Sequence, residues 1–194
     1  MLLKFFEFQN TSTVDNDVTA RTVKNVALKR AENLKNLGAR NVIELCVGPS
    51  LKTLEYYYNN AGINVTGNDI EGRWRDYYPE GDWLIGDSLK LDCSQYDATV
   101  FAPPLSKGCS GNRCDYLSVD EVMPSYYDFI ENEKCGKVIV LVLPGKTFSL
   151  RKDKNEFHKL MDFLYTKGYS NIESIEMKGN KNKITKYVDV YITK

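Results

Sequence analysis

The sequence has little that would support several common kinds of chemistry. Its single histidine is His158, which sits in KNEFHKLMDFL, a stretch whose apolar spacing is helical and puts it on a helix surface. A Ser-His-Asp or Cys-His arrangement therefore has almost no material. The five cysteines, Cys46, Cys93, Cys109, Cys114 and Cys135, are odd in number and scattered. That argues against a disulfide framework and for a reducing, cytoplasmic compartment. Cys109 and Cys114 are the nearest pair, but no second pair or histidine cluster accompanies them, so no metal site is expected. No apolar run reaches the roughly 18 residues of a membrane span. The opening MLLKFFEFQNTS lacks a long apolar core and a small-residue cleavage site, so no signal peptide is expected. Formal net charge is +0, which excludes a strongly basic nucleic-acid wrapper and leaves room for a local basic face. The three-glycine loop of dinucleotide-binding folds is missing, which disfavours a nicotinamide-dependent oxidoreductase.

What is present suits an ordered globular chain. There are 194 residues, 42% of them apolar, enough for one domain with a full core. No repeat or long linker interrupts it. Residues 1–40 read as an N-terminal extension with one helix, and residues 41–194 as the core. In ARTVKNVALKRAENLKNLGAR, the positions Val23, Val26, Ala27, Ala31, Leu34 and Leu37 fall on one helical face, and Gly38 follows as a stop. The period then changes. NVIELCVG, INVTGND, GDWLIGD, YDATVFA and KVIVLVLPG read as five strands, several separated by helical patterns. PSLKTLEYYYNNAG is a helix with Pro49 near its first turn. The end, NIESIEMKGNKNKITKYVDVYITK, reads as two strands joined by a Lys/Asn/Gly turn. Strands apolar on both faces and separated by helices imply a parallel sheet covered on both sides, a three-layer α/β sandwich with an antiparallel end.

In such folds ligands sit beyond the carboxyl ends of the strands, so the residues following each strand matter most. ELCVGPS follows the first, with Glu44 at the strand end and Gly48 in the turn, where a ligand can approach the backbone closely. GNDI ends the second, and its Asp69 is placed to accept from two ribose hydroxyls. IGDS follows the third, where Asp87 is suited to accept from an exocyclic amine. After the fourth comes Pro103-Pro104, which cannot continue a strand because neither residue has an N–H to donate.

Taken in order, these four features make the chain from about Asn41 onward resemble the class I S-adenosylmethionine-dependent methyltransferases. The resemblance implies a mostly parallel, seven-stranded Rossmann-like sheet with a C-terminal antiparallel hairpin, and S-adenosyl-L-methionine as cofactor. It implies that Glu44, Cys46, Gly48 and Ser50 form the methionine-side loop. Asp69, followed by Ile70, would hold the ribose, and Asp87 with Ser88 would face the adenine. Ala102, Pro103, Pro104 and Leu105 would form the catalytic segment. They stand where many amino-methyltransferases carry Asn/Asp/Ser-Pro-Pro-Tyr/Phe, a motif that accepts hydrogen bonds from a substrate NH2 and holds the nitrogen in line with the methyl group.

The match departs in two places. Cys46 and Ser50 occupy outer glycine positions of the first loop. Ala102 brings no side-chain acceptor, and Leu105 no ring on which a flipped base could stack; Phe101, Tyr116 and Tyr126 are the nearby aromatics that would have to substitute. Nucleic-acid contacts would come from Lys178, Lys181, Lys183 and Lys186 in the C-terminal turn region and from Arg73 and Arg75, which are interleaved with aromatics. Trp74 is a candidate cover for a purine. The leading expectation is methylation of a nitrogen, with a nucleic-acid base as acceptor. A small-molecule methyltransferase is one alternative. The other is a non-catalytic methyltransferase-like subunit that binds nucleic acid or a partner protein.

Overall fold

The computed structural model describes residues 24–102, 119–131, 134–144, 151–178 and 184–194. The first element, α1 (Lys24–Asn36), forms where the apolar spacing is helical and buries Val26, Ala27, Arg30, Ala31 and Leu34. It closes at Gly38, whose φ of +82° is left-handed. There Gly38 N–H donates to Lys35 O (2.9 Å) and Ala39 N–H to Leu34 O (3.0 Å), satisfying carbonyls the helix leaves open. Leu37, expected on the buried face, is exposed because the helix has already ended.

Strands and helices then alternate: β1 (Asn41–Leu45), a 3-10 turn (Gly48–Ser50), α2 (Leu51–Ala61), β2 (Asn64–Asp69), α3 (Arg73–Tyr77) and β3 (Trp83–Ile85). A second 3-10 turn (Ser88–Lys90) leads to β4 (Ala98–Phe101), α4 (Val119–Glu131), β5 (Val138–Pro144), α5 (Arg151–Thr166), β6 (Asn171–Lys178) and β7 (Ile184–Thr193). Pro49 lies in the 3-10 turn just before α2, where its missing N–H costs nothing.

The strands form one seven-stranded sheet in the order β3-β2-β1-β4-β5-β7-β6. The first five run parallel, and β7 runs antiparallel to both β5 and β6. The chain winds outward from β1 in one direction and from β4 in the other, so the topological switch lies between them. In such folds ligands bind at that point, beyond the carboxyl ends of the strands.

Each face of the sheet carries its own core. Under α1 and α2, Ala27, Ala31, Leu34, Leu51 and Leu54 pack on Val42, Val100 and Val140. Under α4 and α5, Met123, Tyr126, Phe129, Leu160 and Leu164 pack on Ile43, Phe101 and Leu141. Each fully buried Leu or Ile contributes about 1.5–3 kcal/mol, which is what holds the strand ends in fixed register. Among the described residues no helix is long and apolar enough to cross a membrane, and no group of His, Cys, Asp and Glu is placed to hold a metal ion. Cys109 and Cys114 lie outside the described residues.

Candidate functional site

The segments following β1, β2 and β3 are stitched to one another. Val47 N–H donates to Asn68 O (2.9 Å), and Gly86 N–H donates to Asp69 O (3.0 Å). The Asp69 carboxylate takes Gly48 N–H on Oδ2 (2.8 Å) and Glu71 N–H on Oδ1 (3.0 Å). Asn68 Nδ2 donates to the carbonyls of Leu84 and Gly86, each at 3.0 Å. Cys46 Sγ and Ser88 Oγ share a hydrogen bond at 3.5 Å. Five residues singled out from the sequence, Cys46, Gly48, Asp69, Ile70 and Ser88, are therefore brought to one rim, with Asp87 beside them.

The rim has open backbone and exposed apolar surface. A Cβ added at Gly48 or Gly86 would meet nothing within 4 Å, so both leave room for a ligand against the main chain. Ile70 is 71% exposed, and Ile85, paired beside Asp69 across β2 and β3, is also exposed. Asp69 is only 9% exposed. Burial pushes its pKa up, while the N–H bonds from Glu71 and Gly48 oppose that shift. Each of its oxygens receives one donor, and an ionised carboxylate offers about four acceptor sites, so capacity for two more donors remains. Asp87 caps the second 3-10 turn by accepting Leu89 N–H on Oδ1 (3.1 Å), and its other oxygen lies 3.6 Å from exposed Lys90.

Cys46 stands where the resemblance expects glycine, and its backbone explains that expectation. Its φ of +58° is the only left-handed value at a non-glycine position among the described residues, a conformation that costs about 1–2 kcal/mol for an L-residue. Burial pushes its thiol up to about 12, with the Ser88 hydrogen bond opposing. It is therefore a neutral thiol near pH 7 and not a nucleophile.

Glu44 and Ser50 are placed differently. Ser50 is buried at the start of α2. Glu44 is 1% exposed and lies on the face under α1 and α2. Its two oxygens each accept from Arg30 Nη1 at 3.2 Å, and Oε1 also accepts from the Tyr58 hydroxyl. Arg30 further grips Asp189 of β7, through Nε (2.6 Å) and Nη2 (2.9 Å). Burial pushes the Glu44 pKa up, opposed by Arg30 and the Tyr58 hydrogen bond. The sequence reading missed Arg30, Tyr58 and Asp189. The signal was present: Arg30 falls three after Ala27 and four before Leu34, inside the buried stripe, and Asp189 interrupts the apolar run VDVYI.

At the end of β4, Ala102 N–H donates to Leu45 O (3.3 Å), fixing this strand end against β1. Pro103, Pro104 and Leu105 lie outside the described residues, as does Tyr116. Phe101 and Tyr126 are not free to stack a base. Both are buried, they meet edge to face at 5.2 Å, and the Tyr126 hydroxyl donates to Val142 O (2.8 Å). Trp74 lies beneath the Arg73 guanidinium, 4.6 Å from its ring centre, and Arg73 pairs with Glu71. Arg75 is exposed. Lys178 ends β6 and Lys186 lies within β7, whereas Lys181 and Lys183 fall outside the described residues.

Solved structures share this architecture. The methyltransferase domain of bacterial CtHen1 is 14% identical with a TM-score of 0.61, over 88% of this chain and 98% of that one. The Chain has the Rossmann-like methyltransferase fold. An O-methyltransferase from Bacillus cereus, solved in complex with SAH, is 11% identical with a TM-score of 0.57, over 100% of this chain and 89% of that one. The hMettl16 catalytic domain in complex with a MAT2A 3'UTR hairpin is 13% identical with a TM-score of 0.56, over 88% and 69% of the two chains. No protein-family model matches the sequence, and no curated protein matches it.

Proposed function

We propose that the chain is a methyltransferase that uses S-adenosyl-L-methionine and methylates a nitrogen, with the exocyclic amine of a nucleic-acid base as acceptor. The observation that carries this reading is the convergence of three strand-end segments on open backbone at Gly48 and Gly86, beside an acid with acceptor capacity to spare. The residues present fit the cofactor. Asp69 would accept from the two ribose hydroxyls. Exposed Ile70 and Ile85 would cover the purine, and Asp87 with Ser88 would meet its polar edge. The loop Cys46–Ser50 would receive the methionine portion, whose carboxylate suits the N-terminus of α2. The cofactor supplies an activated methyl group on a sulfonium that leaves readily, so the protein's task is alignment more than base catalysis.

The acceptor assignment rests on the segment after β4. In sequence, Pro103 and Pro104 follow β4 after Ala102 and bring carbonyls with no N–H of their own, suited to receive an N–H from the substrate. Arg73 and Arg75 beside the rim would meet a phosphate backbone, with the lysines of the β6–β7 end as a second contact. The hMettl16 neighbour, crystallised with a 3'UTR hairpin, lends support to a nucleic-acid acceptor. One observation favours a second reading, a non-catalytic subunit: Ala102 brings no side-chain acceptor to the position where amino-methyltransferases carry one.

The test is calorimetric titration with S-adenosylmethionine and S-adenosylhomocysteine, followed by transfer of labelled methyl to RNA, DNA, proteins and small amines. Binding with transfer to nucleic acid is expected. Binding without transfer to any acceptor would favour the second reading, and transfer only to small amines would overturn the nucleic-acid acceptor.

A further inference from the structure

Glu44 is two residues before Cys46, yet its carboxylate has no room for a ligand. It accepts from Arg30 on both oxygens and from the Tyr58 hydroxyl on one, at 1% exposure. Its two partners have a particular arrangement along the chain. Glu44 lies in β1, before the loop Cys46–Ser50, and Tyr58 lies in α2, after it. Their hydrogen bond ties together the two elements that flank the loop. Arg30, from α1, sets the orientation of the carboxylate that makes the tie. Arg30 is itself anchored by a two-pronged contact with Asp189 on β7. In the sheet β7 is separated from β1 by β4 and β5, so one guanidinium braces the loop's base against the far side of the switch point. Planar, two-pronged pairs of this kind hold direction as well as distance.

The loop needs such a brace. Cys46 is held left-handed at φ +58°, and a strained residue of this sort persists only where its surroundings over-determine it. Its side chain packs at the edge of the core under α4 and α5 and makes one weak polar contact, the Sγ–Oγ hydrogen bond to Ser88. Relaxation of Cys46 would turn the loop that carries Gly48, and with it the open backbone of the cleft.

We propose that Arg30 is a positioning residue for the cofactor cleft, acting through Glu44 and Tyr58 to hold the loop Cys46–Ser50 in its strained, ligand-ready shape. This rests on the S-adenosylmethionine reading above. Glu44 then serves the cofactor without touching it, and α1 belongs to the working site although none of its residues reaches the rim.

The test compares S-adenosylhomocysteine affinity, by calorimetry, for the full chain and for Arg30→Lys, with thermal melting run alongside to establish that each protein is folded. Arg30→Lys keeps the charge and loses the fork. A loss of about tenfold in affinity is expected in the folded variant. Adding Cys46→Gly, which removes the need to hold an L-residue left-handed, is expected to recover at least threefold of that loss. A merely structural Arg30 would lower the melting temperature with no such recovery. Should Arg30→Lys fail to fold, Tyr58→Phe removes only the hydroxyl and is expected to weaken binding about fivefold. Folded Arg30→Lys or Tyr58→Phe protein binding like the parent, or no recovery with Cys46→Gly, would overturn the proposal. Absence of binding by the parent chain would instead defeat the cofactor reading itself, and the proposal with it.

Discussion

The ends of β1 and β2 each carry one acid, and the two carboxylates are held in opposite ways. Glu44 is surrounded by side-chain donors from α1 and α2. Asp69 receives only two backbone N–H groups, from Gly48 and Glu71, and keeps an edge to solvent. The first arrangement encloses a buried charge among side-chain donors, and the second leaves acceptor sites at an open rim. Position at a strand end therefore does not by itself separate an acid with an open edge from one enclosed in the scaffold. Burial and the source of the donors do: Glu44 is 1% exposed among side-chain donors, and Asp69 is 9% exposed with backbone donors only.

That contrast can be broken experimentally, and the largest effect should come from the enclosed side. Arg30→Met leaves Glu44 and Asp189 buried without their cation. It should destabilise the fold by about 3–5 kcal/mol, measured by urea denaturation. A loss below about 1 kcal/mol would mean that the carboxylates find other partners. On the open side, Asp69→Ala should weaken S-adenosylmethionine binding at least tenfold, about 1.4 kcal/mol, with the protein still folded. Unchanged affinity would remove Asp69 from the cofactor site.

A smaller effect separates these acids from one at the other end of the sheet. Asp97 accepts N–H groups from Arg40 (2.8 Å) and Asn41 (2.9 Å), and these bonds hold its pKa below the usual aspartate value. Its contribution to stability is therefore complete above the ordinary aspartate pKa of about 3.9. It is lost as pH falls through the depressed native value. Asp97→Asn should lower stability at neutral pH and flatten the decline on acidification, read from denaturation curves at several pH values. Asp69 and Glu44, whose pKa values are raised, carry the opposite sign, because ionising them works against the folded state. The smallest effect belongs to Cys46→Gly. It should raise stability by about 0.5–1 kcal/mol, since relief of the left-handed strain exceeds the added chain entropy of glycine. A destabilised variant would show that the Ser88 contact matters more than the strain.

Much of this fold was legible because its signals are local. The change from helical spacing in α1 to the short apolar run of β1, the glycine after the helix and the continuous apolar β5 each follow from neighbouring residues. The rim was legible for the same reason, since Asp69 ends β2 and Gly48 and Asp87 lie within three residues of the ends of β1 and β3. What was not legible depends on contacts distant in sequence. Arg30 and Asp189 are 159 positions apart, and nothing local says that one guanidinium will reach both β1 and β7. Asp189 within VDVYI and Arg30 within an apolar stripe were each anomalous alone, and only the pairing explains them. Phe101 and Tyr126 were misjudged as stacking candidates because an aromatic next to a site and one packed beneath it look alike in sequence. The left-handed φ at Cys46 was visible only as a departure from an expected glycine.

The most direct test of the central claim, that the rim formed by Cys46–Gly48, Asp69–Ile70 and Asp87–Ser88 is a cofactor site, is calorimetric titration of the full chain with S-adenosylmethionine and S-adenosylhomocysteine. The account predicts micromolar binding of both, at one site per chain. No heat at high protein concentration with either ligand would contradict it.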